Sequence, residues 1–312
     1  MKALQRLLKN IKSNKSMLLM MLPVFTFVVI NSYLPMFGVI MAFKNIDYRS
    51  GILRSPWVGL RNFRYLFSND LAFRITRNTV GFSLAFIAIG MVLAVSIAIL
   101  LNEIRAKSAK KIYQTIIILP NFLSIVVVSY VVYAFLDPVN GLVNKSILEK
   151  LGIKGISWYS KPEYWIAIAP IVNFWMSAGI SSIIYLAGIA GIDPELYEAA
   201  IVDGASKRRQ IWSITLPMLK PIIIISLIMS LGGLIRSNFG LFYQVTLNSQ
   251  LLYSVTDTID TYVYRALTVA GYGTDNVARA AAAGLYQSVV GAALVALANF
   301  AIRKIEPESA LF

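Results

Sequence analysis

The sequence contains no cysteine and no histidine among its 312 residues. Disulfide bonds, zinc sites with thiolate or imidazole ligands, Cys nucleophiles and Ser-His-Asp triads are therefore excluded. A pH switch that depends on histidine is excluded as well. The phosphate-binding pattern G-x-x-x-x-G-K-[ST] is also missing, so we expect any ATP hydrolysis to take place on another chain.

Charged residues are scarce. They make up 14% of the chain, hydrophobic residues make up 57%, and the mean hydropathy is +0.68. A soluble domain of this length carries roughly 25% charged residues. The composition therefore predicts a protein that lies in the lipid bilayer.

Six apolar stretches reach the length of about 20 residues that a helix needs to cross a bilayer. Lys220, in the first turn of the fifth stretch, is the only charged residue inside them, and its long side chain can reach the interface. The sequence thus predicts an all-α integral membrane fold with six transmembrane helices. The predicted spans are Met17–Phe43, Thr79–Leu101, Ile112–Leu136, Tyr164–Leu186, Pro217–Ile235 and Ala280–Ile302.

The spans divide the chain into three predicted parts. Residues 1–78 hold a cytoplasmic segment, the first span and an outer interfacial loop, residues 79–302 form a five-helix core, and residues 303–312 form a cytoplasmic tail. Lys and Arg are denser in the inner connections, which favours cytoplasmic N- and C-termini in a bacterial plasma membrane. The arginines of the first outer loop depart from this bias, and we expect them to face solvent and lipid headgroups. The alternative is that they attract an acidic binding protein or an anionic saccharide.

The connection between the fourth and fifth spans, residues 193–217, predicts a helix-turn-helix on the cytoplasmic side. Asp193 can cap a helix that starts with Pro194, and Gly204 can take the positive φ that ends this helix. Ser206 can cap a second short helix, and Pro217 fits the start of the fifth span. The first helix has one face of small and apolar side chains, which allows close approach to a groove on a partner. An ordinary amphipathic connector is the alternative.

The same connection resembles the coupling loop, or EAA motif, of ATP-binding-cassette importer permeases. The resemblance rests on the spacing of Glu198, Ala199, Ala200, Asp203, Gly204, Ala205, Ile214, Leu216 and Pro217. The stretches YLPMFGVIMAFKNID (33–47), SPWVGLRNFRYLF (55–67) and SALF (309–312) are similar to the polysaccharide branch of the binding-protein-dependent carbohydrate permeases. The sequence departs from the family at Ile211, where an aromatic residue is usual, and in the more basic run Lys207-Arg208-Arg209.

The resemblance implies a type I importer fold with a MetI-like transmembrane domain and no catalytic role for this chain. The partners that it implies are a second homologous permease in a heterodimer, two ATP-binding subunits or domains, an external solute-binding protein, an oligosaccharide and membrane lipid, but no nucleic acid. The partner ATPases would bind ATP and Mg²⁺, and this chain would carry no cofactor. The coupling loop would dock on the ATPases and drive alternating access.

Saccharides present hydroxyl groups and flat C–H faces, so a path for them needs amides, hydroxyls and aromatic rings within the spans. Asn173 and Trp175 rank first, because they lie in mid-span, where an unpartnered amide is costly. The alternative is that such polar groups only bond neighbouring helices together. The candidate path residues are Asn121, Tyr130, Asn173, Trp175, Ser177, Tyr185, Tyr286 and Gln287.

The last span carries small residues at every fourth position, which predicts close packing against another helix. These residues are Ala280, Gly284, Ser288, Ala292 and Ala296.

Other functions fit the sequence less well. A proton-coupled secondary transporter would need an ionisable group deep in the membrane, and no Asp or Glu lies within the six spans. A membrane enzyme would need paired carboxylates, and the acidic residues outside the coupling loop are scattered. The sequence therefore favours a permease subunit of an ATP-driven oligosaccharide importer, with a non-sugar solute as the alternative cargo.

Overall fold

The structure is a computed structural model, which describes residues 14–68, 70–268 and 274–305. These residues form helices joined by short turns, with one isolated β-bridge between Lys44 and Trp57. The longer helices are α1 Lys15–Phe43, α2 Arg61–Phe67, α3 Leu71–Glu103, α4 Lys107–Phe122, α5 Ile125–Leu136, α6 Pro162–Ala190, α7 Pro194–Val202, α8 Lys207–Leu231, α9 Ile259–Thr268 and α10 Thr274–Ile305.

Five helices are long and apolar enough to cross a membrane: α1, α3, α6, α8 and residues Asn276–Phe300 of α10. They confirm five of the six predicted spans. The second span begins at Leu71 and not at Thr79, so Arg74 and Arg77 lie on the helix and not in the connection before it.

The third predicted span, Ile112–Leu136, is corrected to two helices. α4 and α5 meet at a bend of 100° and count as one crossing only when taken together. Pro120 has no N–H to continue the helical hydrogen bonds. Ser124 then takes an extended conformation and caps α5, since its Oγ accepts the backbone N–H of Val127 at 3.3 Å.

The chain folds as two compact units. The first comprises Met1–Leu66 and Ala266–Leu285. In it, the Asn62 amide donates to the carbonyls of Ala42 and Lys44 at 2.9 and 3.0 Å, and the Lys44 ammonium donates to the carbonyls of two later residues. Trp57 stacks on Phe43 with ring centroids 5.6 Å apart. These contacts fold the stretch after α1 into a compact cap.

The second unit comprises Phe67–Arg265 and Tyr286–Phe312. Its core surrounds α6, where Trp165 is fully buried and donates its indole N–H to the carbonyl of Trp158 at 2.9 Å. A side chain at Gly179 would collide with the backbone carbonyl of Ile117, so this glycine allows α4 to lie directly against α6.

The connection between α5 and α6 is folded around one side chain. Asn144 is buried, and its amide oxygen accepts the backbone N–H of Ile156 and the indole N–H of Trp158, both at 3.1 Å. At the start of this connection, the Asp137 carboxylate accepts the backbone N–H of Asn140, which lowers the pKa of this acid. The same connection contains a π-helical turn, Val143–Leu148.

Candidate functional site

The residues of the predicted coupling loop form helix α7 and the tight turn that follows it. Asp193 caps the helix, since its carboxylate accepts the backbone N–H of Glu195 at 3.0 Å, and Pro194 occupies the first turn. At the other end, Gly204 has φ +75° and the N–H of Ala205 donates to the carbonyl of Ala200 at 2.8 Å. This is a Schellman cap, as the glycine predicts.

None of the residues of helix α7 is buried, and most of them are exposed. Val202 is 86% exposed and Ile201 58% exposed, although both are apolar. A nine-residue helix with apolar side chains in solvent has a surface suited to a partner. Of the residues assigned to docking, Glu198, Ala199, Asp203, Gly204 and Pro217 are exposed, whereas Ala200, Ala205 and Leu216 are half-buried.

Two contacts fix α7 and its turn to α8, and a third joins the start of α8 to α3. The Tyr197 hydroxyl lies 2.9 Å from the Thr215 hydroxyl on α8. The amide of Gln210, which is buried, donates to the carbonyl of Ala205 at 3.0 Å. Lys207 forms an ion pair of 3.3 Å with Glu103 at the end of α3. Sequence reasoning missed these residues, because none of them stands out in the local pattern.

The prediction that the second short helix, through Ile211, is separate from a fifth span starting at Pro217 is wrong. Ser206 does cap a helix, with the backbone N–H of Arg209 at 3.4 Å from its Oγ. This helix, however, continues through a π-helical turn at Ile211–Thr215 and becomes α8. Pro217 lies in the first turn of its regular α-helical part, directly after the π-helical turn. The exposed turn is therefore joined to the span without a hinge loop.

A cavity of about 320 Å³ lies between α3, α6 and α8 in the second unit. Its polar groups are the hydroxyls of Ser177, Ser181, Ser226 and Ser230, together with Tyr185. The rest of the lining is apolar or glycine. A cavity with hydroxyls on an apolar wall can hold an uncharged polar molecule.

Only two of the candidate path residues, Ser177 and Tyr185, line this cavity. Asn173 lies one turn from Ser177 and its Oδ1 accepts the amide of Asn238 at 3.2 Å. Trp175 is exposed and, two residues from Asn173, lies on a different face of α6. The structure therefore separates the two residues that rank first in the sequence. Asn121 and Tyr130 are exposed outside the cavity.

Tyr286 and Gln287 belong to a polar network at the start of α3. The Tyr286 hydroxyl lies 2.9 Å from that of Thr76. Gln287 donates to the carbonyl of Ile235 at 2.9 Å and to the Asp260 carboxylate at 3.0 Å. Both side chains thus bond elements of the scaffold together.

Asp257 is the centre of this network and is 1% exposed. Its carboxylate forms ion pairs with Arg74 at 3.3 Å and with Arg265, and the Asn78 amide donates to its backbone carbonyl at 2.9 Å. The expectation that the arginines of the first connection face solvent and headgroups is therefore wrong for Arg74. Instead, Arg74 holds the connection after α8 against α3.

Metal ligation has no structural basis in the parts of the chain that the structure describes. Within residues 14–68, 70–268 and 274–305, no three acidic side chains come together as a metal site would require.

Comparison with known proteins gives consistent results. A family model described as "Binding-protein-dependent transport system inner membrane component" matches residues 87–307. The chain is 36% identical over 304 residues to the polygalacturonan/rhamnogalacturonan transport system permease protein YteP of Bacillus subtilis (strain 168), with 97% of this chain and 92% of that protein covered. It is 34% identical over 299 residues to Protein LplB of the same organism, with 96% and 92% covered.

Two solved structures are similar over nearly the whole chain. One is a bacterial ABC transporter involved in the import of the acidic polysaccharide alginate, with a TM-score of 0.84, 34% identity, and 96% of this chain and 99% of that chain covered. The other is a bacterial alginate ABC transporter in complex with an alginate pentasaccharide-bound periplasmic protein, with a TM-score of 0.83, 34% identity, and 96% and 98% covered.

Proposed function

Because the chain belongs to the family of inner membrane components of binding-protein-dependent transport systems, we propose that it forms half of a pore that imports fragments of a polysaccharide. The chain is a multi-pass permease subunit of an ATP-driven importer and not an enzyme. The observation that carries the choice of cargo is the 36% identity, over 97% of the chain, to a permease named for polygalacturonan and rhamnogalacturonan. The alginate transporter, with 34% identity, supports the same class.

We assign ATPase docking to α7 and its glycine turn. The absence of buried residues in this helix supports the assignment, because an isolated short helix of this kind is stabilised mainly by packing. Glu198 and Asp203 can pair with basic residues at the edge of a groove, and the small side chain of Ala200 permits close approach of the backbone. Two ATP-binding subunits would bind ATP and Mg²⁺ and move this surface.

We assign the saccharide path to the hydroxyl-lined cavity. Ser177 and Ser181 of α6 and Ser226 and Ser230 of α8 can replace the water molecules that a sugar loses on entry, since each hydroxyl both donates and accepts. Asn173 extends this set by one turn along α6. The ring of Tyr185 gives the cavity a flat face for sugar C–H groups.

The remaining partners and the orientation follow from the same proposal. None of the residues from Lys15 to Met36 in α1 is buried, and Ala292 and Ala296 in the small-residue stripe of α10 are exposed. These surfaces suit a second homologous permease. An external solute-binding protein would deliver the cargo, and both termini would lie in the cytoplasm of a bacterial cell.

A transport assay tests the cargo. The importer is reconstituted in vesicles with its cognate permease, ATPases and binding protein, and uptake and ATP hydrolysis are measured with oligogalacturonate, rhamnogalacturonan fragments, alginate oligosaccharides, maltodextrins and amino acids. We expect at least one oligosaccharide to stimulate both activities. Stimulation by amino acids and by no saccharide would contradict the proposed cargo.

A second measurement tests the cavity. Ser226→Ala and Ser230→Ala each remove a hydroxyl and add no bulk to the cavity, so saccharide uptake should fall several-fold while the complex still assembles. Ser96→Ala is the matched control, because Ser96 is exposed on α3 outside the cavity and its hydroxyl donates to the carbonyl of Val92 in the same helix. Equal uptake by all three variants would place the path elsewhere.

A further inference from the structure

A second cavity, of about 450 Å³, lies on α3 away from the hydroxyl-lined one. It begins beside Arg77 and runs along α3 past Gly81 to Ala85, a distance of about 12 Å at the rise of an α-helix. Ile166 and Pro170 of α6 form its other wall. The cavity is therefore an apolar groove with one cationic end, which we call the Arg77 groove.

The Arg77 groove faces outward from the second unit. Gly81 and Ile166 are exposed. The same face of α3 continues one and two turns further with Ile89 and Val92, which are 47% and 65% exposed. Apolar side chains on the surface of a membrane helix are the ones that contact lipid tails. The residues that line the hydroxyl cavity occupy other positions of α3, from Phe86 to Ala94.

Arg77 is held in place at the mouth of the groove and keeps part of its guanidinium available. Its Nε and Nη2 donate to the Asn78 side chain at 3.2 and 3.0 Å, and Nη2 also donates to the carbonyl of Ser254 at 2.8 Å. Nη1 makes no hydrogen bond to any residue that the structure describes. The exposed side of a fixed guanidinium is a ready site for a phosphate oxygen.

We propose that the Arg77 groove binds one molecule of an anionic phospholipid, with its phosphodiester on Arg77 and an acyl chain along Gly81 and Ala85. A chain in the groove covers the apolar walls, and the phosphate neutralises a cation at the end of a membrane helix. Phosphatidylglycerol fits better than phosphatidylcholine, because the choline group of the latter brings its own positive charge next to the phosphate. The bound lipid also stabilises the contact between Arg77 and Ser254, and with it the connection after α8.

Two variants test the two halves of the site in the complete importer complex. Arg77→Gln removes the charge, and we expect phosphatidylglycerol to bind about tenfold more weakly, as the loss of one charge-assisted hydrogen bond predicts. Gly81→Leu fills the groove. No heavy atom lies within 4 Å of the Cβ that such a residue would add, and leucine favours a helix more than glycine does, so the fold is retained.

The measurements are native mass spectrometry of retained lipid and the melting temperature of the complex in detergent during titration with dioleoyl phosphatidylglycerol or dioleoyl phosphatidylcholine. The wild type should retain and be stabilised by phosphatidylglycerol, and both variants should lose this preference. Arg64→Gln and Ile89→Leu are the controls, since each changes an exposed arginine or an exposed apolar residue outside the groove. Equal phosphatidylglycerol binding by wild type, Arg77→Gln and Gly81→Leu would overturn the proposal. So would equal stabilisation by inorganic phosphate, or displacement of the lipid by oligogalacturonate, because either result would make the site one for free anions or for an acidic saccharide.

Discussion

Gly204 decides how the exposed helix α7 ends. Gly204 has a φ of +75°. In this backbone conformation, any L-residue with a side chain is strained by about 1–2 kcal/mol, and the strain is greatest for a β-branched residue. No neighbouring atom lies within 4 Å of the Cβ that a substitution would add. The requirement for glycine therefore comes from the backbone alone and not from packing.

A pair of substitutions at this position separates backbone strain from other effects. Gly204→Val should unwind the last turn of α7 and uncouple ATP hydrolysis from saccharide uptake, whereas Gly204→Asn should keep most of the activity, since asparagine tolerates positive φ. Abundance in the membrane should not change. Co-purification of the ATPases and saccharide-stimulated ATP hydrolysis in vesicles report the result. Full coupling in Gly204→Val would show that the turn has no mechanical role.

Asp257 is a buried acid whose two ion pairs determine how much it contributes to the stability of the fold. It is buried between Arg74 and Arg265, so Asp257→Asn leaves two guanidinium groups without their shared carboxylate. Loss of one member of a buried ion pair destabilises by about 3–5 kcal/mol. Because Arg74 is partly exposed, we expect the lower end of this range.

Thermal unfolding in detergent measures this loss. Asp257→Asn should melt well below the wild type, and Asp70→Asn, an exposed acid just before α3 whose side chain caps nothing, should melt with the wild type. In the double variant Asp257→Asn/Arg265→Gln, part of the stability should return, because one unpaired charge is removed. A wild-type melting temperature for Asp257→Asn alone would mean that the network contributes no stability.

At the level of helices, the sequence was most successful in predicting helix ends that depend on a few neighbouring residues. The start of α7 follows from Asp193 and Pro194, and its end from Gly204, so both ends of the helix were predictable. The bend between α4 and α5 also has a local cause in Pro120 and Ser124, but the apolar length of the whole stretch pointed to one continuous span.

Other structural features depend on tertiary contacts, and no pattern in the amino-acid sequence indicates them. The continuation of the turn into α8 requires the π-helical segment at Ile211–Thr215, which no residue type specifies. Ser226 and Ser230 are isolated serines in an apolar span. They line a cavity only because α3 and α6 pack beside α8. The pair Asn173 and Trp175 could have been separated from the sequence alone, since residues two apart in a helix lie on different faces.

Substitutions on two faces of α7 test whether this helix docks the ATPases. Ala200→Trp should weaken ATPase binding strongly, because the large ring prevents close approach to the partner. Ile201→Trp is the control for side-chain size, since Ile201 is exposed and points in a different direction around the helix from the half-buried Ala200. Pull-down of the ATPases with each variant distinguishes the faces. Equal retention by both variants, with normal transport, would remove the docking role from the Ala200 face.

For the whole molecule, the chain's lack of cysteine makes orientation directly measurable. Ser146 and Ser206 are both exposed, and they lie in connections that our orientation places on opposite sides of the membrane. A membrane-impermeant thiol reagent added to intact cells should label Ser146→Cys and should label Ser206→Cys only after the membrane is opened. The reverse labelling pattern would invert the orientation and place α7 where no cytoplasmic ATPase can reach it.

The joined turn and span have a mechanical consequence. Because α8 continues from Lys207 through the π-helical turn and past Pro221 to Leu231 with no loop between them, it connects the turn after α7 to Ser230 over about 34 Å, at 1.5 Å per residue. A tilt of about 5° at the Lys207 end displaces Ser230 by about 3 Å, which is the length of one hydrogen bond. If α7 docks the ATPases and the hydroxyl-lined cavity holds the saccharide, as we propose, a small rotation of an ATPase would shift Ser226 and Ser230 together relative to the sugar.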